Sequence, residues 1–274
     1  MTTFTIGGDL EVRRLGFGAM RITGPGIWGP PPDRDAAVAV VRRAYELGCN
    51  LIDTADSYGP HVSEEIIAEA LHPYPDDLVI ATKGGLERTG PNRWPVNGDP
   101  AYLKRACEDS LRRLKVDRID VYQHDRPDPD VPYAESIGAL NELQDEGKIR
   151  HVGVSNVGRT QLAEAREIVD VVTVQNRFNL TDRGSERVLD VCTEEGIGFI
   201  PWRPLAAPDD GPVAEAARQH DATPSQVALA WLLQRSEVML PIPGTGSLEH
   251  LEANVAARDL RLEPDEVAAI DAAA

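Results

Sequence analysis

The sequence has few of the residues that build disulfide frameworks, metal clusters or membrane spans. Its three cysteines, Cys49, Cys107 and Cys192, are widely spaced. They form neither an even-numbered disulfide set nor a ligand cluster, so we expect buried, reduced thiols in a cytoplasmic protein and no metal site. No apolar run approaches the roughly 20 residues that a membrane span needs, and the first residues lack a basic-then-apolar secretion signal.

Positive charge is scarce as well. Lys and Arg total 28 against 45 Asp and Glu, so the net charge is -17. Such an acidic surface repels nucleic acid and anionic lipid, and we expect neither as a partner. Hydrophobic residues still make up 42%, enough for a sizeable core. We expect a monomer or weak homo-oligomer that acts on a small molecule.

Short apolar runs alternate with amphipathic stretches along most of the chain. The strand candidates are Leu15–Gly18, Asn50–Asp53, Leu78–Thr82, Ile119–Gln123, Val152–Ser155, Val171–Gln175, Gly198–Pro201 and Val238–Pro241. The helical patterns between them are Arg34–Leu47, Ser63–Leu71, Ala101–Leu114, Tyr133–Glu146, Arg159–Ile168, Gly184–Glu194, Pro224–Gln234 and Leu248–Ala256. This order is typical of parallel strands with right-handed crossovers. Eight units favour a closed (β/α)8 TIM barrel over an open sheet of five or six strands, and we expect one α/β domain over residues 1–274.

Three segments lie outside this repeat. Phe4–Ile6 and Leu10–Arg13 read as a hairpin, which we expect to plug one end of the barrel. An extra helix is predicted over Val213–His220, and a short capped helix over Pro264–Ile270 ends the chain. Because no long C-terminal loop follows, we expect loops after earlier strands to select the substrate.

Polar side chains follow the predicted strands at the point where each strand ends. They are Asp53 with Tyr58 five residues later, Lys83, His124, Ser155 with Asn156, and Gln175 with Asn176. The reactive site of such a barrel lies at the carboxyl ends of its strands, so we expect these side chains to share one rim.

The residue types at this rim favour proton donation to a carbonyl oxygen. Lys83 needs a counter-charge, which Asp53 can supply. We expect Lys83 to lower the pKa of Tyr58, which makes Tyr58 a general acid. A neutral His124 can donate a second hydrogen bond and orient the carbonyl. Taken singly, these residues could be a cap, a turn aromatic, a solvated strand end and a satisfied histidine, but their grouping favours the catalytic interpretation.

Several motifs, in the same order along nearly the whole chain, resemble the aldo-keto reductase superfamily. They are Leu15–Met20, Asn50–Gly59, Ala81–Lys83, Tyr122–His124, Gly153–Asn156, Gln175-Asn176, Pro204-Leu205 and Ile242–Thr245. Within the superfamily, the loops 24–31 and 58–61 resemble bacterial and fungal members similar to pyridoxal reductases. The resemblance implies reduction of aldehydes or ketones by NADPH, with a catalytic tetrad of Asp53, Tyr58, Lys83 and His124.

The resemblance also implies a set of cofactor-binding residues. These are Gly18, Ala19, Met20, Asp53, Ser155, Asn156, Gln175, Trp202, Pro204, Leu205, Gly244, Thr245, Gly246, Ser247, His250 and Asn254. Trp202 replaces the family's usual tyrosine, and no lysine or arginine stands near Gly244 or at His250 for the 2′-phosphate. We expect NADP(H) rather than NAD(H), held by amides at a helix start.

Three long loops are the candidates for the substrate pocket: 21–32, 86–99 and 125–131. We expect Trp28 and Trp94 to line it together with Tyr58 and His124, and Arg88, Arg93 and Arg126 to make its mouth basic. An aromatic aldehyde such as pyridoxal would then be the substrate. The alternatives are a cofactor-sensing subunit without turnover and a barrel lyase that uses Lys83 as a Schiff-base amine.

Overall fold

Strand pairing sets the architecture of the protein. A computed structural model describes residues 2–273. Its strands are β1 (Thr3–Ile6), β2 (Leu10–Arg13), β3 (Phe17–Gly18), β4 (Leu51–Asp53), β5 (Val79–Gly84), β6 (Ile119–His124), β7 (Ile149–Ser155), β8 (Val171–Arg177) and β9 (Gly198–Trp202). β1 and β2 form an antiparallel hairpin, and β3 to β9 form one parallel sheet in sequence order. The central strands are buried along their length, as expected for a sheet covered on both faces.

An irregular segment, 238–243, closes this sheet into a barrel. It bonds to β9 through Phe199 N to Val238 O and Leu240 N to Phe199 O, both 2.8 Å. It bonds to β3 through Gly18 N to Pro243 O at 3.3 Å and, just before that strand, through Gly16 N to Pro241 O at 3.0 Å. We call this segment the seam.

The prediction of an eighth strand at Val238–Pro241 is therefore wrong, although this segment does occupy the predicted place in the barrel. Within the described residues it makes only an isolated bridge, Phe199 to Met239. Pro241 and Pro243 have no backbone N–H, so the segment cannot donate a regular ladder of hydrogen bonds. Its carbonyl groups alone hold β3.

Ten α-helices lie within residues 2–273 and surround the barrel. They are α1 (Arg34–Glu46), α2 (Val62–Leu71), α3 (Pro100–Leu114), α4 (Tyr133–Asp145), α5 (Arg159–Arg166), α6 (Glu186–Glu195), α7 (Gly211–Gln219), α8 (Pro224–Arg235), α9 (Leu248–Ala256) and α10 (Pro264–Ala273). All predicted helices are present, with ends within three residues of the predicted ones. None of these helices is long and apolar enough to cross a membrane.

Local sequence explains where several helices begin. Asp33 caps α1 by accepting from Ala36 N, and Asp99 caps α3 by accepting from Tyr102 N. Thr223 and Gln226 form a reciprocal capping box at α8. Pro follows the cap of α3 and of α8, where its fixed φ suits a first helical position.

The β1–β2 hairpin plugs the amino-terminal end of the barrel, as predicted. Its Ile6, Leu10 and Val12 belong to the same buried apolar cluster as the inward-facing Leu51 and Val121. A larger apolar cluster lies between the strands and the helices. The plugged end is filled with apolar side chains, so the opposite rim is the one that carries the polar groups.

Strand register brings the polar residues of that rim together. Asp53 is level with Ala81, two residues before Lys83, and Lys83 is level with Gln123. On the next pairs, His124 is level with Val154, and Ser155 with Gln175. The carboxyl ends of five neighbouring strands thus supply the candidate site.

Candidate active site

A buried ion pair forms the floor of the site. Lys83 Nζ donates to Asp53 Oδ1 at 2.6 Å and to the carbonyl of Thr54 at 2.7 Å, and both charged side chains are 2% exposed. Burial opposes the charged ammonium, yet Asp53 and the neighbouring Tyr58 raise the net pKa of Lys83 above its ordinary value. Lys83 therefore stays protonated at neutral pH.

Two glutamines complete the hydrogen bonding of Asp53. Gln123 Nε2 donates to Asp53 Oδ2 at 3.1 Å and Gln175 Nε2 at 2.8 Å. Together with Lys83, three donors hold this carboxylate, which explains how a charge can lie in the barrel interior. Gln123 was not assigned to the site from the sequence, although a glutamine that directly precedes His124 at the end of a strand is the signal that could have identified it.

Tyr58 lies beside the ion pair, with Lys83 Nζ 5.3 Å from its ring centroid. The sequence predicts a lowered pKa for Tyr58, and the structure corrects this. Desolvation by burial raises the pKa of Tyr58 to about 12, because it outweighs the opposing effect of Lys83. Tyr58 is thus a phenol at neutral pH and keeps a proton that it can donate.

His124 is fully buried, and neither of its ring nitrogens has a hydrogen-bond partner among the described residues. Burial lowers the pKa of His124 to about 4, although Asp128 opposes the shift, so the ring is neutral at pH 7. Its ring centroid lies 5.7 Å from that of Tyr133. A buried imidazole without a hydrogen-bond partner is costly for the folded state.

A cavity of about 790 Å³ opens above these groups. Its lining residues are Gly18, Met20, Arg21, Asp53, Tyr58, Lys83, Leu86, Trp94, Asp125, Arg126, Ser155, Asn156, Gln175, Trp202, Arg203, Pro204, Leu205, Ala206, Ile242 and Gly244. The remaining predicted site residues, which do not line it, are Ala19, Trp28, His124, Thr245, Gly246, Ser247, His250 and Asn254. Asp125, Arg21 and Arg203 are lining residues that the sequence reasoning did not assign to the site.

One wall of the cavity is a set of linked polar side chains. Trp202 Nε1 donates to Asn156 Oδ1 at 3.1 Å, and Asn156 Nδ2 donates to Ser155 Oγ and to the carbonyl of Asp125, both at 2.9 Å. Asn156 adopts a positive φ of 57°, a conformation that asparagine tolerates better than most residues. These contacts fix the indole of Trp202 at the edge of the cavity.

Glycines allow the seam to approach β3 closely at the far end of the cavity. A Cβ on Gly18 would lie 2.5 Å from the carbonyl oxygen of Ile242, and one on Gly244 would lie 2.6 Å from that of Gly18. Beyond Gly244 the chain reaches α9, where Ser247 accepts from His250 N at 3.4 Å. His250 is exposed there, next to Glu249 in the first turn.

Arg88 joins the loops that border the cavity. Its guanidinium carbon lies 3.6 Å from the ring centroid of Trp94 and 5.5 Å from that of Trp28. Its Nη1 donates to the carbonyls of Ile27 and Ser57 at 2.6 and 2.7 Å. Trp94 in turn packs edge-to-face on Tyr58, with centroids 6.5 Å apart.

This arrangement corrects the predicted pocket wall. Trp28 packs on Arg88 and does not line the cavity, whereas Trp94 does. Arg88 is engaged by carbonyl groups and Arg93 is exposed outside the lining, so of the three arginines expected at the mouth only Arg126 lines it. Within residues 2–273 no group of three or more His, Cys, Asp or Glu side chains could hold a metal ion.

Comparison with known proteins identifies similar chains over the whole length. The family model described as "Aldo/keto reductase family" matches residues 14–208 and 209–274. An uncharacterized oxidoreductase of Schizosaccharomyces pombe is 49% identical, over 96% of this chain and 87% of its own. Pyridoxine 4-dehydrogenase of Escherichia coli is 44% identical, over 98% of this chain and 97% of its own. The crystal structure of an aldo-keto reductase from Klebsiella pneumoniae in complex with NADPH superposes with a TM-score of 0.84 at 28% identity, covering 99% of this chain and 94% of that one.

Proposed function

The chain belongs to the aldo/keto reductase family of oxidoreductases, and on that premise we propose that it reduces aldehydes to alcohols with NADPH, with Tyr58 as the general acid. The observation that carries this proposal is the grouping of a protonated Tyr58 and a charged Lys83, which is held by Asp53, in the wall of one cavity. Pyridoxal and similar aromatic aldehydes are the substrates we propose, since the pyridoxine 4-dehydrogenase covers nearly the whole chain.

The residues at hand suit a nicotinamide dinucleotide. Ser155, Asn156 and Gln175 line the cavity beside Tyr58 and offer amide and hydroxyl groups to a carboxamide. Gly18 and Gly244 leave room that a Cβ would fill, so that backbone can approach a phosphate. Arg21 and Arg203, both exposed on the cavity wall, add positive charge. When bound, the cofactor supplies a hydride to the carbonyl carbon.

The other steps belong to the protein. Tyr58 donates its phenolic proton to the carbonyl oxygen as negative charge develops there. Lys83, held by Asp53 and Thr54, stabilises the phenolate that remains on Tyr58. The sequence-based expectation that His124 orients the carbonyl is not part of this proposal, because His124 does not line the cavity and packs against Tyr133.

The lyase alternative fits this site poorly. A Schiff-base lysine must be neutral to attack a carbonyl, and the buried pair with Asp53 raises the pKa of Lys83 instead. A cofactor-sensing role without turnover remains distinguishable from the proposed one by a single assay, since only an enzyme consumes NADPH when an aldehyde is added.

We therefore expect the purified protein to oxidise NADPH in the presence of pyridoxal and benzaldehydes. Tyr58→Phe should lower kcat by about a thousandfold or more and leave the Kd for NADPH nearly unchanged, because only the transferable proton is lost. Tyr45→Phe is the matched control, since Tyr45 lies on α1 and its phenol bonds to Asp77 on the outer surface. A Tyr58→Phe variant with most of the activity, or a wild type without turnover, would contradict the proposal.

A further inference from the structure

A second carboxylate, Asp125, lies in the wall of the cavity and takes no part in the mechanism above. It follows β6 directly, and the residue is 7% exposed. Its backbone is fixed on both sides, since its N–H donates to the carbonyl of Gly84 at 2.9 Å and its carbonyl accepts from Asn156 Nδ2. The side chain lines the same cavity as Tyr58. Its position is therefore set by the barrel rim rather than by a free loop.

The carboxylate of Asp125 has no partner within residues 2–273. No side-chain or backbone donor lies within hydrogen-bond distance of it, and no cation within 4.0 Å. Lys83 is directed to Asp53 and Thr54 instead. Asp53, the other carboxylate at this level, is held by three donors. The contrast marks Asp125 as a carboxylate in the cavity wall that the described residues leave without a donor.

The nearby arginines do not replace a partner for Asp125. Arg21, Arg126 and Arg203 line the same cavity, but each is exposed and lies toward the solvent. Burial raises the pKa of Asp125 to about 6, with Lys83 and Arg126 opposing the shift. At pH 7 the group is mostly ionised, in surroundings that hydrate it poorly.

We propose that Asp125 selects the substrate, by accepting a hydrogen bond from a protonated nitrogen that the aldehyde carries on its ring or on a short side chain. This inference rests on the proposed reductase function and narrows it to carbonyl compounds with a cationic nitrogen. A ligand of this kind satisfies the open acceptor, and the ion pair forms away from water, where it is stronger than at the surface. The exposed arginines remain free for the phosphates of the cofactor.

The test compares two aldehydes of the same shape. 3-(Dimethylaminomethyl)benzaldehyde is cationic at pH 7, and 3-(2-methylpropyl)benzaldehyde is its neutral isostere. We expect wild type to prefer the cation in kcat/KM by about tenfold or more, mainly through KM. Asp125→Asn should remove that preference, so that the ratio of kcat/KM for the two aldehydes falls to about one. Asp130→Asn, which removes an exposed carboxylate from the same loop, should leave the preference unchanged.

Each other result decides the matter. A wild type without preference for the cation, or an Asp125→Asn variant that retains it, overturns the proposal. If wild type reduces neither aldehyde, the proposed function fails, and calorimetric binding of 3-(dimethylaminomethyl)benzyl alcohol then tests Asp125 alone: equal affinity in wild type and variant overturns its role. Folding is checked by the melting temperature, which should not fall in Asp125→Asn because an unpartnered buried charge is removed.

Discussion

Individual side chains in and beside the cavity keep, at neutral pH, the protonation states they have in water, but their shifted pKa values hold those states over a wider pH range. Lys83 remains charged because Asp53 and Thr54 replace its hydration, and His124 remains neutral because nothing does. Burial disfavours the charged form of both Tyr58 and His124. Tyr58 therefore keeps its phenolic proton, and His124 does not take up a second proton. The cavity thus pairs one permanent cation, Lys83, with one neutral proton donor, Tyr58.

The neutral state of His124 makes stability depend on pH. Because burial lowers its pKa from 6.5 to about 4, the unfolded chain binds this proton more readily than the folded one. Stability from this residue is present above pH 6.5 and is lost as the pH falls toward 4, by up to about 3 kcal/mol. Urea unfolding of wild type and His124→Gln at pH 6.5 and pH 4.5 should show the smaller pH-dependent loss in the variant. Parallel losses in both proteins would mean that His124 titrates normally.

Residue types at strand ends could be predicted from the sequence, but the consequences of burial could not. Asp53, Lys83 and His124 stand where apolar runs stop, so their common rim follows from the repeat alone. The direction of the pKa shift of Tyr58 does not follow from the sequence, since it depends on how completely the loops exclude water. Asp125 was passed over because a carboxylate at the start of a loop is ordinarily solvated, and only the folded chain shows it buried.

Among the elements, Arg88 joins its own loop, 86–99, to the loop 21–32 and to the segment that precedes Tyr58. Its five hydrogen bonds all end on backbone carbonyls, in the segments 26–27, 57 and 90–93. Because Ser57 precedes Tyr58 and Trp94 packs on Tyr58, this guanidinium positions both the acid and the pocket wall.

We expect Arg88→Ala to destabilise the protein by about 1–3 kcal/mol, because it leaves partly buried carbonyls without donors. It should also raise KM for aromatic aldehydes more than for short aliphatic ones, since Trp94 loses its support. Chemical unfolding and steady-state kinetics measure the two effects. Arg93→Ala, an exposed neighbour in the same loop, serves as the control and should change stability by less than about 0.5 kcal/mol. Equal effects of the two variants would remove Arg88 from this role.

The start of α9 is the element that we expect to discriminate NADPH from NADH. Ser247 and His250 lie there, the sequence has no lysine or arginine from Gly244 to Asn254, and Glu249 brings an unfavourable charge. His250→Ala should weaken NADPH binding about two- to fivefold, and Glu249→Gln should strengthen it by a similar factor. Neither should change the Kd for NADH, which lacks the 2′-phosphate. Fluorescence titration with both cofactors tests this, and parallel shifts for the two would place the phosphate elsewhere.

At the scale of the whole molecule, closure of the barrel depends on Gly18, which has no side chain and therefore lets the seam approach β3 closely. The predicted repeat accounts for seven parallel strands and for eight of the ten helices within residues 2–273, but Pro241 and Pro243 prevent the eighth strand from forming. The sequence pattern of an apolar run does not reveal this, because it reports burial and not hydrogen-bond donors. The seam can still close the ring, since Gly18 lets its carbonyls reach β3.

We expect Gly18→Ala to lower the free energy of unfolding by about 1–3 kcal/mol, because its Cβ would lie 2.5 Å from the carbonyl oxygen of Ile242. The same change should weaken NADPH binding. Gly138→Ala is the matched substitution on α4, where nothing lies within 4 Å of the added Cβ. That variant should gain about 0.5–1 kcal/mol, since alanine is the better helix residue. Thermal and urea denaturation of both variants measure these changes, and a neutral Gly18→Ala would show that the seam yields without cost.

The seam is also where we expect the barrel to open locally most often. Only two backbone bonds reach it from each neighbour, whereas β6 and β7 are matched over five residue pairs. Amide protons at Gly16, Gly18 and Leu240 should therefore exchange with solvent sooner than those of the central strands. A dinucleotide lying along Gly18 and Gly244 would contact both β3 and the end of the seam and so hold them together. The melting temperature and the affinity for the cofactor would then both depend on how firmly the seam is held against β3.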